Sequence, residues 1–297
     1  MSQIVVVENS SISSVGAVSF WRLDGEIDRV KLAEEWAAAG LDPAWLPAPC
    51  SAKVALSRAL ARMKGDGRSV VTLKDGGHAL TTLRDTASEA VASRVAASVD
   101  LVVKLATSAS GEHVLAIDLP TDDETAERAA IEVRRLWSHY RAAVVATDVS
   151  VWLADIVSKL DAVGLREGGG VYFVPATTVA QWRKIADAVS RSSSHRISQL
   201  PAMRSDDAVA AVLAALEDEA AAHVAKMDEI LTASEVGARF LRSRIRDTDA
   251  VASKLERYEA LLGAKLDMIK DKIIETRASL SLAEIQALNL AEQAGAE

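Results

Sequence analysis

The chain of 297 residues contains one cysteine, Cys50, so it forms no intramolecular disulfide and no all-cysteine metal cage. A lone thiol fits a reducing compartment, and the chain reads as cytoplasmic. Aromatic residues make up only 4%, against 49% hydrophobic and 26% charged. Those fractions exclude wholesale disorder and allow one large or two ordinary cores. No apolar run approaches the roughly 18 residues that cross a bilayer, so no membrane partner is expected. The opening stretch, residues 1–14, lacks the basic start and apolar centre of a signal peptide.

Motifs that carry chemistry are also missing. There is no phosphate-binding loop with its Lys-Ser or Lys-Thr pair, no Gly-rich dinucleotide fingerprint, no HExxH helix and no GxSxG elbow. Gly168-Gly169-Gly170 has the backbone freedom of an anion nest, but no helix start follows it, so it reads better as a turn before a strand. Asp24-Gly25-Glu26-Ile27-Asp28 imitates a calcium loop with Glu35 in the twelfth place, but Arg29 occupies the sixth place, where the sharp turn needs glycine. His78, His113, His139, His195 and His223 are scattered, with only His78 and His113 on neighbouring hairpins. Cys50 precedes a helix start, where a dipole lowers thiol pKa, but it reads better as a small packed residue. Trp36, Trp137, Trp152 and Trp182 sit at apolar helical positions and predict core packing, whereas Trp45 lies in a Pro-flanked turn and is the one placed to stack on a ligand. No catalytic, cofactor-binding or metal residues are assigned.

Proline and tryptophan vanish after Pro201, and the following 96 residues hold only three glycines, Gly237, Gly263 and Gly295. Losing both helix breakers over that length predicts long helices. Ser205 is a good N-cap, with Asp206 and Asp207 suiting the helix dipole. Apolar residues then recur at Val209, Leu213, Leu216, Ala220, Val224, Met227 and Leu231. A second run has Val251, Leu255, Tyr258, Leu262, Leu266, Ile269 and Ile273. The alternation of threes and fours is that of a coiled-coil seam, broken by consecutive fours at Tyr258, Leu262 and Leu266. Leu255, Tyr258, Leu262, Leu266, Ile269 and Ile273 are the candidate association seam, and Glu259 falls on its outer face. A turn is expected at residues 232–237 or at 247–249.

Before Pro201 the pattern is mixed. Strands are expected at residues 17–23 and 171–174. Hairpins are expected at 69–83, around Asp75-Gly76-Gly77, and at 99–119. Helices are expected from Asp28 to Ala39, with Val30, Leu32, Ala33 and Trp36 on one stripe, and from Ser51 to Met63. Others run from a capping box at Thr121 to about Val145, from Asp148 to about Val163, and from Thr178 to Val189. Residues 86–97 fit helix and strand equally. The expected class is α+β: a two-hairpin domain over 1–120, a helical block over 121–190 with one strand or hairpin at Gly168–Pro175, a Ser/Arg-rich linker over 191–205, and a long helical hairpin or coiled coil over 206–297.

The net charge of -8 is unevenly placed. From Asp206 onward, 11 Lys or Arg face 18 Asp or Glu, so the acidity belongs to the last third. A uniformly basic coat is excluded, but local basic faces are not. Arg183, Lys184, Arg191, Arg196 and Arg204 face only Asp187 across their stretch, and Arg239, Arg242, Arg244 and Arg246 cluster in eight residues. Helix, helix and hairpin from Asp28 to Leu83, and less fully from Asp148 to Val174, resemble a winged helix. In the first, the recognition helix would present Lys53, Ser57, Arg58 and Arg62. Candidate nucleic-acid contacts are therefore Lys53, Arg58, Arg62, Arg191, Arg196 and Arg204.

Phe20-Trp21-Arg22-Leu23, the segment from Ala38-Ala39-Gly40-Leu41 to Ser51, and Gly169-Gly170-Val171-Tyr172-Phe173-Val174-Pro175 are similar to a family of uncharacterised proteins of bacterial and tailed-phage genomes. The resemblance covers most of the chain before Pro201 and brings no catalytic residue and no cofactor. The expectation is a non-enzymatic, self-associating structural or regulatory protein whose partner is a second copy or a helical protein. The alternative is a nucleic-acid-binding protein that dimerises through its acidic helices. Removing residues 206–297 is expected to leave a folded remainder.

Overall fold

The computed structural model describes residues 14–65, 67–88, 91–120, 123–233 and 236–294. In chain order the elements are β1 (Ser14–Arg22), β2 (Glu26–Asp28), α1 (Arg29–Ala38), a 3-10 turn (Pro43–Trp45), α2 (Ala52–Met63), β3 (Arg68–Thr72), β4 (His78–Ser88), β5 (Val91–Thr107) and β6 (His113–Asp118). There follow α3 (Glu124–Ala142), β7 (Ala143–Val145), α4 (Ala146–Lys159), β8 (Val163–Gly164), β9 (Val171–Pro175), α5 (Val179–Ser192), β10 (Arg196–Met203), α6 (Asp206–Thr232), α7 (Ala238–Leu262) and α8 (Asp267–Ala294). The fold is mixed α+β, and every sheet among the described residues is antiparallel. These residues form two compact units, one of residues 23–150 and 191–194, the other of 14–22, 151–190 and 195–294.

In the first unit, Asp28 caps α1 by accepting from the Val30 and Lys31 amides, and Ser51 caps α2 by accepting from Val54. Leu32 and Trp36 of α1 are buried, but Val30, expected on the same stripe, lies on the solvent side at 69% exposure. α2 buries Ala52, Ala55, Leu56, Ala59, Leu60 and Met63. This face packs with Ala129, Ala130, Val133 and Leu136 of α3 and with Leu80, Leu101 and Val103 of the sheet. Alanine on both helices lets their backbones approach. Strands β3, β4, β5 and β6 pair in that order, so the expected first hairpin continues into a four-stranded meander. Residues 86–88 and 91–97, which fitted helix and strand equally, are strand: β4 and β5 pair from His78 with Val103 to Ser88 with Val91, and residues 89–90 lie outside the described residues.

The other unit centres on a sheet ordered β10-β1-β9-β8. Gly16 of β1 is required by close approach: a Cβ there would lie 2.3 Å from the Val174 carbonyl oxygen and 2.8 Å from Phe173. Trp182 of α5 is fully buried and donates from Nε1 to Ser19 Oγ of β1 at 2.9 Å. Val15, Val163, Phe173 and Ala202 of the strand region share a core with Val212, Leu216 and Ala220 of α6, Leu255, Tyr258 and Leu262 of α7, and Ile273 of α8. The C-terminal helices therefore share a core with the sheet.

Several sequence expectations are corrected. Residues 191–205, expected as a linker, hold the end of α5 and strand β10, which pairs with β1 from Arg22 opposite Arg196 to Ser14 opposite Met203. Pro201 is tolerated because β10 is an edge strand. Helix α3 is capped by Asp123, which accepts from the Thr125 amide, while Thr121 and Asp122 of the expected capping box lie outside the described residues. So do residues 1–13, on which the leader-peptide expectation rests. Asp148 falls inside the first turn of α4 rather than before it. Residues 247–249 lie inside α7, and the turn between α6 and α7 takes the other expected place.

Candidate association surface

Ser205 Oγ caps α6 by accepting from the Ala208 amide at 3.2 Å. Helices α6 and α7 run antiparallel, tied by two polar links. Lys254 Nζ, on a buried side chain, donates to both Glu219 carboxylate oxygens at 2.7 and 2.8 Å and to the Ala162 carbonyl at 2.8 Å. Three donors meet three acceptors, which is what permits an ammonium to be buried. Farther along, the Thr248 hydroxyl donates to the Arg244 carbonyl and lies 2.9 Å from His223 Nε2. The hydroxyl's proton is committed, so Nε2 carries the imidazole hydrogen. Burial lowers the His223 pKa, and the Lys226 and Arg244 charges lower it too, against the opposing pull of Asp247 and Glu219.

The expected seam is buried at Leu255, Tyr258, Leu262, Leu266 and Ile273 and half-buried at Ile269. It does not lie on one helix, however. Gly263 ends α7 in the left-handed region at φ 65°, and α8 starts at Asp267. The consecutive fours at Tyr258, Leu262 and Leu266 would by themselves only alter supercoil pitch; the chain breaks at Gly263, which takes the left-handed conformation. Glu259 is not an idle outer-face residue. It accepts from the Leu266 amide at 2.7 Å and from Lys270 Nζ at 2.9 Å, and both bonds hold its pKa below the usual carboxylate range. Tyr258 OH donates to the Asp161 carbonyl at 2.7 Å, while Arg257 grips the Asp161 carboxylate from the same turn of α7.

Helices α7 and α8 form a second antiparallel hairpin. Three ion pairs join them: Glu259 with Lys270, Asp249 with Arg277, and Arg242 with Glu284. The α8 members are spaced by sevens, two helical turns apart, and so line one edge. Leu280 is fully buried against Met227 and Leu241.

The opposite face of α8 is apolar as well. Ile274, Leu282 and Ile285 are 59%, 59% and 55% exposed, and Leu288 is also exposed. Leu290 instead lines a cleft with Leu241, Ala283 and Ala287 on the α6–α7 side. From Ala278 to Ala291 the only charged residue is Glu284, which is engaged by Arg242. A helix that is hydrophobic all round is normally buried on all sides. This second face was missed because the seam was followed only to Ile273. Its signal stands one residue on, at Ile274, Ala278, Ser281, Ile285 and Leu288, again in alternating fours and threes.

The candidate nucleic-acid residues are divided between the two units: Lys53, Arg58, Arg62 and Arg191 in one, Arg196 and Arg204 in the other. Arg58 forms a bidentate pair with Asp148 at 2.6 and 2.7 Å, which raises the guanidinium pKa. Arg191 pairs with Glu35 at 3.0 Å. Arg204 donates to the Leu262 carbonyl at 2.8 Å, inside the helical region. Lys53, Arg62 and Arg196 are exposed. His78 and His113 are kept apart by β5, which runs between their strands. Trp36, Trp152 and Trp182 are buried, as helical spacing predicts. The hairpin after Gly168-Gly169-Gly170 is joined through β9 to β1.

One His–carboxylate pair does occur, His139 Nε2 with Glu26 Oε2 at 2.7 Å, beside a cleft of 590 Å³. Its lining holds no serine, threonine, cysteine or lysine for such a pair to activate. Among the described residues there is no metal-ligating group of three and no helix long and apolar enough to cross a membrane.

A family model described as a family of unknown function, DUF6744, matches residues 15–295. The chain belongs to the DUF6744 family. The match runs from β1 through α8, so in DUF6744 the C-terminal helices belong with the sheet, beyond the span before Pro201 covered by the sequence resemblance. No curated protein and no solved structure matches this DUF6744 chain.

Proposed function

We propose that the protein is a non-enzymatic, self-associating structural or regulatory protein that docks through the outward face of α8. The observation that carries this reading is the doubly apolar character of α8 between Ala278 and Ala291. One side packs through Leu280 against Met227 of α6 and Leu241 of α7, and the other leaves Leu282 and Ile285 more than half exposed with no unpaired charge beside them. Burying such side chains stabilises an interface by about 25 cal/mol per Å² of apolar surface before association entropy is subtracted. Ile273 and Leu280 pack the helix into the cores it shares with α6 and α7, so the face is already ordered before docking. The His139–Glu26 cleft, lacking a group to activate, lends no support to a catalytic role.

Sedimentation velocity at micromolar concentration tests the reading. Wild-type protein is expected to run as an oligomer. Leu282→Asp with Ile285→Asp is expected to run as a monomer that still unfolds cooperatively, because both sites face water in the single chain, and its melting temperature should lose the concentration dependence that association gives the wild type. A monomeric wild type would overturn the proposal.

Nucleic acid is the second reading. It rests on the exposed Lys53, Arg62 and Arg196 and is weakened by the internal engagement of Arg58, Arg191 and Arg204. Salt-dependent retention on DNA or RNA, reduced by Lys53→Glu with Arg62→Glu, would favour it.

A further inference from the structure

We infer that the cleft at the C-terminal end of α2, continued along a ribbon of β4 and β5, holds the phosphate backbone of a nucleic-acid duplex. The inference is independent of docking through α8. It rests on the nucleic-acid reading and moves its surface, since Arg62 alone is shared with the residues named for that reading.

Strand β3 reaches only to Arg68, opposite Thr82, and β6 only to Asp118, opposite Val102. Beyond those pairs β4 and β5 run on as a two-stranded ribbon, from Leu83 opposite Ala97 to Ser88 opposite Val91. Opposite residues share a face, and so do residues two apart on one strand. The face that sets Val70 and Leu80 against α2 and α3 therefore continues through Arg68 and Thr82. It then passes Arg84 opposite Ala96 and Thr86 opposite Arg94. Under the helices this face is apolar. Farther out, each of three successive levels carries one arginine: Arg68, Arg84 and Arg94. The levels lie roughly 7 Å apart along the strand, so the row suits a repeating anion better than a single one.

At the foot of the ribbon, Arg62, Lys64, Arg68, Thr82 and Thr125 line a cleft of 450 Å³. Its lining holds three cations and no carboxylate, in a chain whose net charge is -8. Arg62 and Lys64 are exposed and enter no ion pair among the described residues. The acids near the cleft are engaged elsewhere or buried. Asp100 is buried, accepts from the Thr82 hydroxyl and faces Arg68 Nε at 3.9 Å. Glu124 pairs with Arg128, and Asp123 caps α3. Asp66 lies outside the described residues.

The chemistry of the row selects the ligand. Cations from the cleft and the ribbon can neutralise several phosphates and release their counterions. The levels carry Thr82 and Ser98, Arg84 and Ala96, and Thr86 and Arg94, without an aromatic residue. Proteins that bind single strands join a cationic track to aromatic stacking platforms. A row of arginines without such platforms suits a duplex, whose charge is denser along its axis and whose phosphates are gripped without reading bases.

Fluorescence anisotropy of the full-length protein with a labelled duplex of about 20 base pairs, over a range of salt concentrations, tests this. Wild type is expected to bind the duplex more tightly than either of its single strands, with inorganic phosphate a poor competitor. Arg84→Gln with Arg94→Gln, and separately Arg62→Gln with Lys64→Gln, should each weaken binding about tenfold at low salt and lower the salt slope by about 2. The second pair alters only exposed residues at the helix end, so its effect does not depend on the ribbon staying folded. Arg84→Lys with Arg94→Lys should keep the affinity. Lys53→Gln, in the first turn of α2, should bind as wild type does. Duplex binding untouched by both Gln pairs, or weakened as much by Lys53→Gln, would overturn the inference and leave the nucleic-acid reading standing. Tighter binding of a single strand, or competition by inorganic phosphate that matches unlabelled duplex, would also overturn it. A wild type that retains neither duplex nor single strand at low salt would remove both the inference and the reading beneath it.

Discussion

Arg204 reaches the last carbonyl of α7, with Nη2 donating to Leu262 oxygen at 2.8 Å. A cation at a helix C-terminus satisfies an orphan acceptor and complements the dipole. The same guanidinium fills the space beside Gly263, where a Cβ would stand 2.8 Å from Nη2. A basic residue that would pass for a phosphate contact thus fastens the end of β10 to the turn between α7 and α8.

Arg204→Met should remove that bond and lower stability by about 1.5–3 kcal/mol, the range for a hydrogen bond to a charged group. Gly263→Ala should lose a further ~1 kcal/mol from the left-handed φ alone. Urea unfolding of the two single variants checks both, and an unchanged midpoint for Gly263→Ala would contradict the strained turn.

Leu262→Asp places a carboxylate in a site that is 2% exposed and should cost several kcal/mol. Glu259→Gln, which the helical period alone would class as harmless, should also lower stability, because the charge-assisted bond to Lys270 is lost. The Glu259 pKa is lower in the folded than in the unfolded chain. Its contribution is therefore complete above the unfolded carboxylate pKa and disappears as pH falls through the folded value. Wild type and Glu259→Gln should converge in melting temperature under acid conditions and diverge at neutral pH.

His223 has its folded pKa lowered by burial. The unfolded chain binds the proton more readily, so stability is full above the unfolded pKa of about 6.5 and falls as pH drops below it. Replacing His223 with Gln should flatten the melting profile between about pH 7 and pH 5. A profile identical to wild type would mean that protonation does not open the α6–α7 contact.

Ending the chain at Ser205 should expose Val163, Phe173 and Ala202 and abolish cooperative unfolding of the unit they belong to. The unit of residues 23–150 and 191–194 keeps its own core around Leu80 and Val133 and should retain a separate transition. Near-ultraviolet circular dichroism with urea titration distinguishes the two. A truncated chain with an unaltered single transition would contradict the shared core.

Local chemistry was legible in the residues wherever a cap, a turn or a period acts over a few positions. Ser51 and Ser205 start helices, Asp75-Gly76-Gly77 turns a hairpin, and Leu255, Tyr258 and Leu262 are buried at the spacing that predicts it. Each rests on bonds or faces within one element, and the residues themselves determine those. The end of α7 at Gly263 was not foreseen, because the apolar spacing continues through Leu266 and Ile273 as though one helix ran on.

Only the tertiary structure decided the rest, because it depends on residues far apart in the chain. Residues 191–205 resembled a linker because serine, arginine and proline favour loops, yet β10 is a strand because β1, far away in the chain, offers its edge from Ser14 to Arg22. Arg58, Arg191 and Arg204 read as candidate nucleic-acid contacts and Glu259 as an outer-face residue, because nothing in the sequence places Asp148, Glu35, the Leu262 carbonyl and Lys270 beside them. The two apolar faces of α8 are equal in sequence. Packing alone determines that Ile273 and Leu280 turn inward while Ile274 and Ile285 face the solvent.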